Sequence, residues 1–231
     1  MQDRTLLRIG AVSLIAGVVL TFVHITLIGA IEPADPTDMQ ARLQSMVDSP
    51  NWTGAHVFYL PMLLLFVGGL LALYRSFKGE QWASLARLGF AAALLGGAII
   101  SVSGAIYYGG AMKALGDAWG AAADKAFPFA VVEAMILVSF DIFSWGIVVF
   151  FGVAPILFGL GIALTDLYPK WLGWVAVIGG VGNALMGIVL FFQGWSRVTS
   201  NVWGALSIVI TLWLLVMGVL MWRKSGAVAN S

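Results

Sequence analysis

Six long apolar stretches constrain this chain more than any other feature of its sequence. Each is about 20 residues or longer, the length that an α-helix needs to cross roughly 30 Å of hydrocarbon. Backbone N–H and C=O groups find no water there, so each stretch must satisfy them internally as a helix. The predicted spans are 9–31, 52–74, 85–108, 132–165, 171–192 and 202–222. The sequence therefore predicts an all-α fold, a polytopic transmembrane helix bundle in the lipid bilayer, with 1–231 as one integral-membrane domain.

The amino-acid composition supports a membrane environment and removes several classes of function. The chain is 61% hydrophobic and 10% charged, whereas soluble domains carry about 25% charged residues, so no separate soluble domain is expected. The absence of cysteine excludes disulfides, thiolate metal sites and cysteine nucleophiles within the chain. A net charge of +1 offers no basic surface for nucleic acid. The first apolar run exceeds the apolar core of a signal peptide, about 7–15 residues, and is interpreted as a retained helix.

The fourth apolar segment, 127–165, is longer than one membrane crossing requires. Two separate spans would need a turn between them, and no Gly-Pro, Asn-Gly or charged turn signal interrupts the segment. We therefore interpret it as one long helix, whose N-terminal third rises out of the membrane, rather than as two spans.

Lysine and arginine are distributed unequally between the two ends of a six-span bundle. The termini then share one side, which receives eight basic residues: Arg4, Arg8, Arg75, Lys78, Arg87, Lys170, Arg223 and Lys224. The other side receives four: Arg42, Lys113, Lys125 and Arg197. Because basic residues in short loops favour the cytoplasm, both termini are predicted to be cytoplasmic. We call the loops of the other side the outer loops.

Two outer loops contain short amphipathic patterns. Asp35 and Pro36 resemble a helix N-cap and first turn, and apolar residues then recur at helical spacing as far as Val47. Met112, Leu115 and Trp119 repeat this spacing in the next outer loop. Each segment is predicted to be a helix, either lying in the headgroup region or packed on the bundle.

Small residues recur at every fourth position on two of the spans. One stripe runs from Ala93 to Gly109 on the third span, and another from Gly179 to Gly187 on the fifth. Small residues let helix backbones approach each other closely in a membrane. The stripes are predicted to pack helices within the chain, with a homo-oligomer or a partner membrane protein as the alternative.

The chain contains two histidines, His24 and His56, and both fall inside predicted spans. Antiparallel neighbouring helices place them at similar depth, close to the outer side. Asp141 lies near the same boundary and Glu133 about two turns further out, and their spacing puts them on one broad face of the fourth helix. Ionisable residues within spans are costly and usually face the protein interior or water. These four residues form the predicted ligand-binding site.

Several functions are consistent with such a site. Two histidines on adjacent helices could be axial ligands of haem b in an electron carrier. His24, His56 and Asp141 could instead bind a divalent metal, or the site could bind a small ligand, for transport or electron transfer. Alternatively, Glu133 and Asp141 could be buried acids of an enzyme that acts on a lipid or isoprenoid. The remaining interpretations are structural roles for the histidines and a non-catalytic accessory subunit of a membrane complex.

One short hairpin carries a resemblance to a known family. It consists of Tyr168-Pro169-Lys170-Trp171-Leu172-Gly173-Trp174 after the glycine-rich run Phe158-Gly159-Leu160-Gly161. Here the chain resembles a widespread group of uncharacterised bacterial multi-pass membrane proteins that share a domain of unknown function. The resemblance implies a six-helix protein of the bacterial cytoplasmic (inner) membrane. It brings no activity and no site residues.

Overall fold

The computed structural model describes residues 2–33 and 35–227, and every regular element in them is helical. The elements are α1 (Gln2–Gly29), α2 (Met39–Asp48), α3 (Trp52–Ala55), α4 (Tyr59–Arg75), α5 (Ala83–Tyr108), α6 (Gly110–Ala121), α7 (Ala126–Gly146), a π-helical segment (Ile147–Val153), α8 (Ala154–Ala163), α9 (Lys170–Gln193) and α10 (Arg197–Ala227).

Six helical runs are long and apolar enough to cross a membrane. Their bounds are Arg4–Gly29, Trp52–Ser76, Ala83–Ala121, Ala126–Ala163, Lys170–Gln193 and Arg197–Gly226. The prediction of an all-α, polytopic six-span bundle is confirmed. The chain is a multi-pass membrane protein.

The fourth run is continuous over 38 residues, Ala126–Ala163, with the π-helical segment in its middle. Pro155 lies at the start of α8, directly after this segment. Proline has no N–H, and its ring crowds the carbonyl group four residues earlier. A wider π turn before Pro155 relieves that crowding without ending the helix.

Helices α8 and α9 approach closely where two glycines face each other. A Cβ on Gly159 would lie 2.5 Å from the carbonyl oxygen of Gly173, and the converse distance is also 2.5 Å. No larger residue fits at either position without moving a backbone. A Cβ at Gly97 or Gly187 would likewise contact side chains of neighbouring helices, so each predicted small-residue stripe packs helices within the chain at these positions.

The two outer amphipathic helices are packed on the bundle rather than spread on its surface. Helix α2 lies against α6, and together they bury one apolar cluster with the outer ends of α5 and α7. The fully buried members of this cluster are Leu43, Met46, Trp52, Tyr107, Met112, Trp119, Val132 and Ile136. Helices α2 and α6 cover one end of the bundle, which we call the outer end.

Helix α2 begins later than Asp35 and Pro36 predict. Its first residue is Met39, and Asp38 is the N-cap, accepting a hydrogen bond from the N–H of Ala41 at 2.8 Å. The Asp35 carboxylate instead accepts from the N–H and hydroxyl of Thr37, at 2.9 and 2.6 Å. The Asp35 N-cap prediction is wrong because this local turn occupies its carboxylate.

The opposite end, the inner end, brings together the turns after α4 and α8 and the last turns of α10. Tyr168 Oη donates to Ser76 Oγ at 3.1 Å, and Lys224 Nζ lies 4.9 Å from the centroid of the Tyr168 ring. Arg8 Nε donates to Ser225 Oγ at 3.4 Å, which links α1 to α10.

Candidate functional site

A break in the second span places His56 beside His24. Helix α3 ends at Ala55 and α4 begins at Tyr59, so His56 lies in the turn between them. Pro61 falls in the first turn of α4, where its missing N–H costs nothing and its ring opposes a continuous helix before it. The ring centroids of His24 and His56 are 5.7 Å apart, and the residues are only 5% and 4% exposed. The structure therefore brings the two histidines together.

The imidazole of His56 faces a hydrogen-bond acceptor at each nitrogen. Its Nδ1 lies 2.7 Å from the carbonyl oxygen of Trp52, and its Nε2 lies 3.3 Å from Oε1 of Glu32. A neutral imidazole donates one N–H, whereas an imidazolium donates two. The two contacts can both be hydrogen bonds only when His56 and Glu32 together hold one proton more than a neutral imidazole and a carboxylate. His56 therefore connects Glu32 to the backbone of α3.

Glu32 lies in the connection after α1 and is held from two sides. Arg42 Nη1, on α2, donates to Glu32 Oε2 at 2.7 Å and also to the hydroxyl of Tyr107. Burial by itself raises the pKa of Glu32, but the hydrogen bond with His56 and the charge of Arg42 outweigh it and hold the pKa below its ordinary value of 4.5. Glu32 is thus a carboxylate at neutral pH. We call the following set the polar cluster: His24, Glu32, Arg42, His56 and Tyr107.

Aromatic rings fill the space around the two imidazoles. Tyr108 stacks on His56 with a centroid distance of 4.0 Å and an interplanar angle of 17°, and the Trp52 ring lies 4.7 Å from His56. His24 contacts Tyr59 and Tyr108 at centroid distances of 5.5 and 5.7 Å. These rings exclude water, and hydrogen bonds to charged groups are stronger in such low-dielectric surroundings.

Several polar nitrogens in and around the cluster are buried without a partner in the described part of the chain. They are His24 Nδ1, Arg42 Nε, Trp52 Nε1 and Trp119 Nε1. A buried polar group without a hydrogen bond costs about 1–3 kcal/mol, so such atoms are rare unless water or a ligand satisfies them. The outer end therefore has hydrogen-bonding capacity that the protein itself does not use.

The two acids predicted for this site do not bond to the histidines in the described residues. On α7, Glu133 is half-buried and Asp141 is exposed, and within the described ranges neither forms a hydrogen bond or ion pair with a histidine. The carboxylate beside the histidines belongs to Glu32, which the sequence shows only as a loop charge. In the sequence, Glu32 follows His24 by about two helical turns, and this spacing could have indicated that the two residues lie near each other.

The contacts in the described residues give no support to a haem or divalent-metal site. Both ring nitrogens of His56 are engaged, whereas an axial haem ligand needs a free one. Protein metal sites usually take about three or four protein ligands, and the described residues hold no group of three or more His, Cys, Asp or Glu side chains arranged for a metal. The haem and metal interpretations of His24, His56 and Asp141 therefore gain no support.

A comparison with known families identifies the family of the chain. The model of a family described as a domain of unknown function, DUF4386, matches residues 9–224. The chain belongs to this family. The resemblance expected from the hairpin is confirmed, and the DUF4386 match covers four spans completely, most of the first and the sixth, and the polar cluster. No curated protein and no solved structure matches the chain.

Proposed function

We propose that this protein is a proton-linked transporter of a small carboxylate in the bacterial cytoplasmic membrane, with the polar cluster as its binding site. In the orientation predicted from lysine and arginine, the cluster faces the periplasm. The proposal narrows the small-ligand interpretation of the histidine site and replaces its acids, Glu133 and Asp141, with Glu32.

The observation that carries this proposal is the way the Glu32 carboxylate is held. Arg42 contacts one oxygen of the Glu32 carboxylate and His56 contacts the other. Charge-assisted hydrogen bonds of this kind are strong and directional. Glu32 reaches them from a connecting segment and not from a helix. A ligand carboxylate offers the same two oxygens, so it can replace Glu32 at Arg42 and His56. The unpartnered nitrogens of His24 and Arg42 supply further bonds to such a ligand.

Proton coupling follows from the same contacts. His56 satisfies both acceptors only with the extra proton that it shares with Glu32. When a ligand displaces Glu32, that proton must be redistributed among Glu32, His56 and the ligand. Ionisable groups within membrane bundles commonly mark proton or ion pathways. The other titratable or charged groups that face Glu32 or its partners from the packed elements include His24, Arg42, His56, Tyr59, Tyr107 and Tyr108.

The two histidines make a direct test possible. Nitrogen-15 NMR of the imidazoles, recorded on the full chain in nanodiscs, yields one set of ring signals for each histidine. Acetate, succinate and benzoate are titrated at constant pH and ionic strength. We expect at least one to shift both rings saturably, with chloride inactive. Arg42→Gln should abolish the shift, and Arg197→Gln, an exposed arginine at the same end, should keep it. No shift with any carboxylate in folded protein would overturn the proposal.

Transport itself is measured in proteoliposomes that enclose a pH-sensitive dye. An imposed gradient of succinate, a dicarboxylate that crosses lipid poorly, should change the internal pH faster than in protein-free vesicles. Glu32→Gln should remove the excess rate because it removes one of the two groups that share the proton. Saturable binding without any flux would make the protein a carboxylate sensor and contradict the transport assignment.

A further inference from the structure

A polar cavity lies at the inner end, away from the polar cluster. It has a volume of about 630 Å³, within the range of about 300–1,000 Å³ that is typical of small-ligand sites. The turns after α4 and α8 and the end of α10 enclose it, and its lining includes Glu80, Trp82, Asp166, Tyr168 and Lys224. Tyr168 is also the first residue of the hairpin on which the family resemblance rests.

Two opposite charges, Lys224 and Glu80, face this cavity without forming a direct ion pair in the described residues. Within the described ranges, no carboxylate oxygen lies within 4.0 Å of Lys224 Nζ, which lies instead near the face of the Tyr168 ring, 4.9 Å from its centroid. The half-buried Glu80 likewise has no ion pair in those ranges, whereas Asp166 is occupied by Lys170 at 3.1 Å. An occupant that carries both a negative and a positive group would satisfy Lys224 and Glu80 together.

The rim of the cavity has the character of a membrane interface. Trp82 and Leu164, which line it, are 38% and 49% exposed. Trp171 and Trp174, on the first turns of α9, are also exposed. Tryptophan is enriched at the headgroup level of membranes, where an apolar ring and a polar N–H both find partners. The cavity therefore opens where lipid headgroups lie.

We propose that this cavity binds the headgroup of a phospholipid that carries both a phosphate and a primary amine. The phosphate lies at Lys224, the ammonium group lies at Glu80, and the acyl chains leave past Leu164. A purely anionic headgroup would satisfy Lys224 but would be repelled by Glu80. The site is independent of the carboxylate site at the outer end, so the two proposals can fail separately.

Native mass spectrometry of the full chain in detergent tests this assignment. Phosphatidylethanolamine and phosphatidylglycerol with identical acyl chains are added in equal amounts. We expect wild type to retain the amine-bearing lipid about tenfold more strongly, the ratio that corresponds to one charge-assisted contact. Lys224→Met, which keeps an apolar stem, and Glu80→Gln should each lower that retention about tenfold. Lys78→Met, an exposed lysine at the same end but outside the cavity lining, should leave it unchanged.

Three results would overturn the assignment. One is equal retention of the two lipids by wild type. Another is wild-type retention in both Lys224→Met and Glu80→Gln. The third is binding of soluble O-phosphoethanolamine without binding of the lipid, which would make the occupant a soluble phosphoamine. Each variant is compared with wild type by circular dichroism and thermal unfolding, and if Lys224→Met fails to fold, Glu80→Gln carries the test.

Discussion

At the outer end, Glu32 contacts both Arg42 and His56, and the three residues are covered by α2, α6 and a layer of aromatic rings. At the inner end, Glu80 and Lys224 face an open cavity, and neither has an ion-pair partner in the described residues. Both ends carry charge of both signs, but only the outer end has removed that charge from water.

This difference separates two consequences of placing charge in a membrane protein. A buried, paired charge contributes to folding because its partner is left uncompensated when it is removed. A charge facing an open cavity keeps part of its hydration, so its removal costs little stability and changes what binds there. Substitutions at the outer end should therefore act on stability and binding together, and those at the inner end on binding alone.

Removal of Arg42 should give the largest effect on stability. Arg42→Ala leaves the partly buried Glu32 carboxylate without its cation and deprives the buried Tyr107 of its donor. Breaking a buried ion pair on one side costs about 3–5 kcal/mol, so the free energy of unfolding in detergent should fall by about that amount. Arg197→Ala, at an exposed arginine of the same end, should change it by less than about 0.5 kcal/mol. Equal effects of the two substitutions would remove the contrast between buried and open charge.

A pH dependence at the outer end should follow from Glu32. Because its pKa is lower in the folded protein than its ordinary value of 4.5, ionised Glu32 favours the folded state. That contribution is present above the ordinary value and is lost as the pH falls through the lowered pKa. Thermal unfolding of wild type from pH 7 to pH 3 should therefore lose stability that Glu32→Gln has already lost at pH 7, about 1–3 kcal/mol for hydrogen bonds to a charged group.

The control for this pH dependence is His56→Gln, which removes one of the two groups that lower the Glu32 pKa. It should reduce the difference between pH 7 and pH 3 without abolishing it, since Arg42 remains. Parallel curves for wild type and Glu32→Gln across the whole range would show that Glu32 makes no such contribution.

The fold was largely predictable because one strong physical rule determines it. Long apolar runs must be helical in lipid, and that rule alone yields the six spans. The breaks within spans were harder to predict. The turn at His56 depends on where Pro61 falls within a turn of helix, and the π-helical segment depends on the single residue Pro155 that follows it. Hydropathy averages over such single positions.

The polar cluster was only half predictable, for a related reason. The depth of His24 and His56 follows from counting residues along straight helices, and the structure places their rings side by side. Glu32 and Arg42 lie outside the predicted spans, in loops where charged residues are common and do not indicate a binding site. Only the folding of α2 back over the bundle brings Arg42 to Glu32, and no spacing in the sequence encodes that tertiary contact.

The smallest expected effect on stability is at the inner end, where charge faces an open cavity and not a buried partner. Lys224→Met keeps the apolar contact with Tyr168 but removes the ammonium group above its ring. Because this charge faces an open cavity without an ion pair in the described residues, the free energy of unfolding in lipid-free detergent should change by less than about 0.5 kcal/mol. With phosphatidylethanolamine added, wild type should gain thermal stability and Lys224→Met should gain much less, because a ligand stabilises the fold in proportion to its occupancy. A loss of several kcal/mol without lipid would instead make Lys224 a folding element like Arg42, and the two ends would then handle charge in the same way.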